Sequence, residues 1–257
     1  MISIVTVTYN AASTIERTLQ SVALQSCRDY EHIIIDGASK DSTIEIAKSF
    51  GYQELSAADG SRPEGAKVYI SEPDKGLYDA MNKAFGLAKG DYICFLNAGD
   101  KLHSADTLQH IADAGDRENV GVIYGDTDIV DGDGNRLRGR RLTPPEVLTW
   151  KSFREGMLVC HQSFYINREI ALPYDLAYRF SADFDWCIRC MKEGEKRGLK
   201  TNRYVHEVLT DYLSEGMTTA NHKASLKERF RIMAKHYGLI TTICQHIWFV
   251  LRAIIKK

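Results

Sequence analysis

Three times before Tyr92 the chain runs through an unbroken apolar stretch, a polar turn and an amphipathic segment, and that alternation constrains the fold more than any other feature. Ile2 to Thr8 reads as a buried strand, with Ser13 and Glu16 as a capping box ahead of Ile15, Leu19 and Val22 at helical spacing. Tyr30 to Asp36 (YEHIIID) is a second strand, followed by a turn at Gly37 to Asp41 and another capping box, Ser42 with Glu45, opening a helix through Ile44, Ala47 and Lys48. Lys67 to Ile70 is a third, short strand before a helix carrying Leu77, Ala80, Met81, Ala84 and Ala88, and Tyr92 to Leu96 is a fourth. Strands buried on both faces and joined through helices pair in parallel with right-handed crossovers. The pattern predicts an α/β fold, with a mostly parallel, Rossmann-like sheet covered by helices on both faces.

The rhythm changes after about Gly115. Val122 to Tyr124 and Asp128 to Val130 read as strands, and the turn Asp131 to Gly134 as a hairpin returning through Leu137. Thr143, Pro144 and Glu146 read as a helix start, Phe164 to Ile166 as a strand, SADFDWCIRCMKEG as a helix and Tyr204 to Leu209 as a last strand before a loop from Asp211 to Thr219. From Ala224 the pattern is helical. With no repeat, low-complexity tract or linker, the 257 residues divide simply: one domain over 1–220, with halves of about 1–115 and 116–220, and a C-terminal helical extension over 221–257.

A formal net charge of −1 gives no reason to expect nucleic acid as a partner. The cysteines at 27, 94, 160, 187, 190 and 244 lie mostly within or beside apolar runs, which suits reduced, buried thiols. The amino terminus begins directly with a strand and carries no signal-peptide pattern, so a cytoplasmic location is expected.

Polar groups gather where the strands end. In an open α/β sheet, ligands bind beyond the carboxyl ends of the strands, and here those ends supply Thr8, Tyr9, Asn10 and Asp36. Neither a dinucleotide fingerprint nor a P-loop follows them. The segment SEPDKGLYDAMNKAFGLAKGDYICFLNAGD adds a sharp acidic turn in which the small Ala98 and Gly99 allow close backbone approach, while Asn97 and Asp100 supply oxygen atoms.

The runs SIVTVTYNAASTIERTLQSVALQS, IIIDGASKDST and SEPDKGLYDAMNKAFGLAKGDYICFLNAGD resemble the front half of family 2 glycosyltransferases of the GT-A fold. The similarity is greatest to the branch that assembles bacterial surface polysaccharides (capsule, O-antigen, exopolysaccharide). HQSFYINREI, SADFDWCIRC and DYLSEGMT resemble that branch's second half, so the resemblance covers roughly residues 1–220 and leaves the tail uncovered.

It implies an inverting transfer of a sugar from a nucleotide-diphosphate sugar, a UDP-sugar first and GDP- or dTDP-sugars behind, to a saccharide acceptor that is lipid-linked. Thr8, Tyr9 and Asp36 would hold the nucleobase and ribose; Asp74, Lys75, Gly76 and Asn82 would face the diphosphate or donor sugar. Asn97 to Asp100 stands where the family carries its acidic metal motif, but both acids of the Asp-x-Asp pair are replaced, by Asn97 and Gly99. Asp100 is then the expected ligand of a Mn²⁺ or Mg²⁺ ion, with Asn97 lending a neutral oxygen. His161 and Gln162 would lie near the diphosphate or the acceptor, and Glu215 to Thr218 in a loop able to close over the substrate.

Transfer needs a base. Asp183 and Asp185 both fall in the first turn of a predicted helix capped by Ser181, two residues apart and so pointing different ways. The family's Glu-Asp motif, read as Ala182 and Asp183, favours Asp183. Two other readings remain: a nucleotide-sugar-binding protein with little turnover, suggested by the thinned metal motif, and a thiol redox protein using Cys187 and Cys190 of the W-C-x-x-C run. In the tail, Leu239 to Ile255 is apolar but interrupted by Gln245, His246 and Arg252. It suits peripheral contact with the cytoplasmic face of the inner membrane, packing on the domain, or a homodimer interface.

Overall fold

A computed structural model describes residues 1–55, 65–116, 118–199, 201–214 and 222–255. The two strands richest in β-branched residues, β1 (Ile2–Thr8) and β2 (Tyr30–Asp36), are buried along their whole length and pair in parallel from Ile2 with Tyr30 to Thr8 with Asp36. Around them form β3 (Gln53–Glu54), β4 (Lys67–Ser71), β5 (Tyr92–Phe95), β6 (Lys101–Leu102), β7 (Val120–Val130), β8 (Arg136–Gly139), β9 (Phe164–Asn167) and β10 (Thr201–Leu213). They make one sheet in the order β3-β4-β2-β1-β5-β9-β7-β10-β6, with β8 hairpinned onto β7. Pairings are parallel except at β6, β8 and β9, as the alternating pattern of the first half predicts.

Helices cover both faces. One core layer sets α3 (Leu77–Phe85) and α5 (Ala182–Arg197) against β1, β2, β5 and β7, with Trp186, Phe184 and Phe153 fully buried. On the other face, Ile15 and Leu19 of α1 (Ile15–Ala23) and Ala47 of α2 (Thr43–Ser49) meet Ile34 and Tyr69, while Leu108 and Ile111 of α4 (Thr107–Gly115) join Ile4, Cys94 and Leu209.

Several local expectations need correcting. Neither Ser13 nor Ser42 caps with its side chain; the Ala11 carbonyl receives Thr14 N and Ile15 N, and Asp41 receives the Thr43 amide and hydroxyl. Asp41 wins because its carboxylate also takes Ala12 N, tying the first two βα turns together. No α-helix starts at Thr143: the pair Pro144-Pro145 forces extended backbone, and a 3-10 turn follows instead at Trp150–Glu155, boxed by Thr149 and Ser152. The two short strands expected at 122–124 and 128–130 are one, β7, because β10 pairs along its whole length. Gly125 permits that, since a Cβ there would lie 2.7 Å from the Glu207 carbonyl oxygen.

The expected boundary at residue 220 does not separate the tail from the core. Helix α6 (His222–Tyr237) buries Ile232 and Met233 in the same layer as Trp186, and its Glu228 carboxylate accepts the amides of Arg179, Phe180 and Ser181 at 2.8, 2.8 and 2.9 Å. Ser181, expected to cap α5 with its hydroxyl, turns that group to Ser225 instead. Helix α7 (Leu239–Ile255) follows after Gly238.

Asp185 fastens α6 to α5. It is wholly buried and meets Arg189 at 2.5 Å, His236 at 2.8 Å and Lys235 at 3.3 Å. Burial alone would raise its pKa, but the hydrogen bonds from His236 and Arg189 and the nearby charges outweigh it, bringing the pKa to about 2. A depressed carboxylate stabilises the fold above its unfolded value and loses that contribution as pH falls. Asp185→Asn is expected to cost about 3 kcal/mol in urea denaturation at pH 7. The gap to wild type should shrink as pH falls from about 4 towards 2; a constant gap would show that the charge is not its source.

Candidate functional site

Strand order reverses between β1 and β5: after β1 the chain builds outward through β2 and β4, then crosses back to lay β5 on the other side of β1. Loops leaving β1 and β5 therefore splay apart and open a crevice at their carboxyl ends. The junction is fixed from below, where Leu96 N donates to the Val5 carbonyl and the Thr6 hydroxyl donates to the Leu96 carbonyl at 2.7 Å. Two buried side-chain oxygens here have no hydrogen-bond partner among the described residues, Thr8 Oγ1 at the end of β1 and Asn97 Oδ1 just after β5. Buried oxygens are rarely left unpaired, so a pair flanking the switch point marks a place for a ligand.

Asp36 lies beside Thr8 and Ser71 across three strand ends. It is wholly buried, and its carboxylate accepts Ser71 Oγ at 2.6 Å and the Ser39 amide and hydroxyl at 2.8 and 2.5 Å. Expected to meet the nucleoside, it also holds the turn that carries Ser39. Above that turn, Tyr9 is 63% exposed, and both its ring and the Asp74 carboxylate crowd Gly37, where a Cβ would stand 2.5 Å from Asp74 Oδ2. Lys75 is exposed, and its amide donates to Asp79 while Gly76 N donates to Asp74.

The acidic turn is held by three elements. Gly99 has φ +101, and a Cβ there would meet Leu213 Cδ2 at 3.0 Å and Thr14 Cβ at 3.4 Å, so any side chain at this position would be strained. Asp100, 4% exposed, accepts Leu213 N on Oδ1 at 2.9 Å and Gln162 Nε2 on Oδ2 at 2.8 Å. Burial raises its pKa to about 7 against the pull of those hydrogen bonds and of Arg17. Each carboxylate oxygen retains a lone pair, so Asp100 and the unpaired Asn97 Oδ1 form a donor set of hard oxygens suited to a divalent cation.

Across the crevice, Asp183 begins α5 half-buried, its Oδ1 accepting Phe184 N at 2.9 Å and the Tyr78 hydroxyl at 3.2 Å. Half-buried Tyr212 has its hydroxyl raised first by desolvation and then by charges that include Asp100 and Asp183, so both carboxylates lie within electrostatic reach of one phenol. Asp185 points away into the α6 network, as two-residue spacing requires.

The remaining predicted residues separate. Asn82 spends its amide on the Tyr174 backbone, in both directions. His161 lies in an aromatic cluster, stacked on Phe95 and bonded to the Tyr174 hydroxyl at 2.5 Å, with burial lowering its pKa to about 4. Gln162 serves the site by orienting Asp100. Cys187 and Cys190 are fully buried and burial pushes both thiols up, Cys190 to about 12, which leaves no thiolate for redox chemistry. Glu215 to Thr218 lie outside the described residues.

Three contributors escaped sequence reasoning. Arg17 reaches the Asp131 and Gly132 carbonyls and has a buried, unpartnered Nη2; Tyr78 and Glu228 steady Asp183 and the loop before it. None has a signal in local pattern, because each acts across a long loop closure. His103, Asp128 and Asp211 also bring ligand atoms within 4.8 Å of one another, but Lys101 and Arg136 already neutralise the two acids.

Comparison with known proteins agrees with this geometry. The profile described as "Glycosyl transferase family 2" matches residues 3–173. A PGL/p-HBAD biosynthesis glycosyltransferase of Mycobacterium bovis is 33% identical over 217 residues, covering 82% of this chain and 76% of the relative. The amylovoran biosynthesis glycosyltransferase AmsB of Erwinia amylovora is 30% identical over 209 residues, covering 76% and 65%. Among solved structures, glucosyl-3-phosphoglycerate synthase of Mycobacterium tuberculosis, in complex with Mn²⁺, UDP and glucosyl-3-phosphoglycerate, superposes with a TM-score of 0.62 at 16% identity, covering 93% of this chain and 80% of that one. The shared fold is the GT-A type.

Because the Gln162 hydrogen bond favours the charged carboxylate, Gln162→Leu should move the Asp100 titration upward from about 7. Carboxyl ¹³C NMR of the ligand-free protein reads this directly, and an unmoved or lowered midpoint would show that Gln162 does not govern Asp100.

Proposed function

The chain belongs to glycosyl transferase family 2, and on that premise we propose that it is an inverting glycosyltransferase moving a hexose from a UDP-sugar to a lipid-linked saccharide at the cytoplasmic face of the membrane, in surface polysaccharide synthesis. The observation that carries the reading is the pair of unpartnered oxygens at the switch point, Thr8 Oγ1 and Asn97 Oδ1, with Asp100 beside them and Asp183 across the crevice. Thr8 and Tyr9 receive the nucleoside, the Tyr9 ring offering a stacking face, and Asp36 shapes its pocket through Ser39. Asp74 and Lys75 border the diphosphate, and the Lys75 ammonium offsets the charge that builds on the departing oxygen.

A divalent cation, as in the Mn²⁺ complex of the mycobacterial synthase, fits Asp100 and Asn97 and would supply Lewis-acid stabilisation of the leaving diphosphate. Asp183 acts as the base, withdrawing the acceptor hydroxyl's proton as that oxygen attacks the anomeric carbon from the face opposite the diphosphate. Tyr78, donating to Asp183 Oδ1, keeps the second carboxylate oxygen aimed outward.

Asp183→Asn keeps the shape of the side chain and removes its basicity, so transfer should fall by about 10³-fold or more while calorimetric UDP affinity stays within about twofold. An active Asp183→Asn enzyme would overturn the mechanism. Protons and metal compete for Asp100, so Mn²⁺ should bind about tenfold more tightly per pH unit on rising towards 7 and level off above it. Isothermal titration across pH 5.5 to 8.5 checks this; a flat profile, or loss of the metal's effect in Asn97→Ala but not in Asp100→Ala, would move the metal off Asp100.

A further inference from the structure

Helix α7 is turned inside out relative to an ordinary surface helix. It sits on the body through Thr242, His246 and Phe249: Thr242 is buried, His246 meets the Phe230 ring at 5.1 Å, and Phe249 packs against the main core. The outward side is the apolar one. Ile240, Ile243, Ile247 and Leu251 follow one another at helical spacing along a single line and are 80, 44, 56 and 47% exposed, with Trp248 and Val250 beside them at 50 and 59%. Among the described residues the other exposed large apolar side chains, such as Leu24, Val147 and Leu176, are scattered singly, so the patch is a property of this helix.

We propose that this face docks flat into the surface of an anionic bilayer. At 17 residues α7 lies at the short limit for a spanning helix, and no helix among the described residues is long and apolar enough to cross a membrane. Charge selects lipid over a second copy. After Glu228 the sequence contains no Asp or Glu, while Arg229, Arg231, Arg252, Lys256 and Lys257 follow, besides Lys235, which is already paired with Asp175 and Asp185. A two-fold pairing of α7 with itself would bring two tails of one charge sign together, whereas anionic headgroups complement that charge. Trp248, amphipathic and exposed, has the side chain suited to the headgroup boundary. The inference deepens the proposed lipid-linked acceptor, resting on that reading for its purpose and on the helix surface for its support.

The test uses the full chain and vesicles of phosphatidylcholine with or without phosphatidylglycerol. Sedimentation should bring the protein down with the anionic vesicles at low salt, with binding weaker by roughly tenfold on neutral vesicles or at high salt. Ile243→Glu with Ile247→Glu should leave the protein in the supernatant, its circular dichroism and its UDP-sugar hydrolysis in solution unchanged. If that variant misfolds, quenching of tryptophan fluorescence by brominated lipid, lost in Trp248→Phe, reads the same contact. Wild-type protein that ignores anionic vesicles overturns the proposal, as does a dimer in light scattering that the double variant breaks into monomers. Absent hydrolysis with intact vesicle binding would count against the transfer reading and leave the docking standing.

Discussion

The hydrogen bonds that lock β1 to the segment after β5 are the constraint on which the site depends. Leu96 N on the Val5 carbonyl and the Thr6 hydroxyl on the Leu96 carbonyl bring two chain segments ninety residues apart into fixed register. From that register follow the placement of Thr8 beside Asp36 and of Asn97 just beyond the end of β5, and the reversal of strand order that opens the crevice. Without it, the unpaired oxygens would have no common space. The cost of leaving them unpaired, about 1 to 3 kcal/mol each, is the kind of local strain a binding site carries and its ligand relieves.

Sequence legibility tracked how local the cause was. β1 and β2 were readable to the residue, because runs such as ISIVTVT and YEHIIID are too apolar to lie anywhere but in a parallel core. β7 was not, since Gly125, Asp126 and Thr127 have no strand character of their own and extend only because β10 pairs with them. In the candidate site, motif order singles out Asp183 and Asp100, and the structure adds that Asp185 is a clasp and Asn82 a bracket for Tyr174. Gln162 was readable as belonging to the site but not as the donor to Asp100, and Tyr78 and Glu228 carried no signal at all. Partnerships across sixty or a hundred residues are written in the fold, not in any window of sequence.

The tail shows the same division. Its helical periodicity and apolar content were plain, but that α6 belongs to the core while α7 turns its apolar line outward required knowing what each packs against. Glu228 makes the distinction matter for chemistry, because its carboxylate gathers the three amides that lead into Asp183. Asp183, the proposed base, is thus presented by a segment some forty residues further along the chain, and α6 cannot be treated as an appendage.

One strand has a mechanical consequence. β9 is inserted antiparallel between β5 and β7, pairing with Tyr92 and Ile93 on one edge and with Val122 to Tyr124 on the other. It stitches the first half of the sheet to the second, so the two cannot swing on a hinge as the lobes of a clamp do without tearing hydrogen bonds on both sides of it. Entry and release of substrate then depend on loop motion around a rigid floor, and the pace of turnover falls to the segments that cover the crevice rather than to the sheet that forms it.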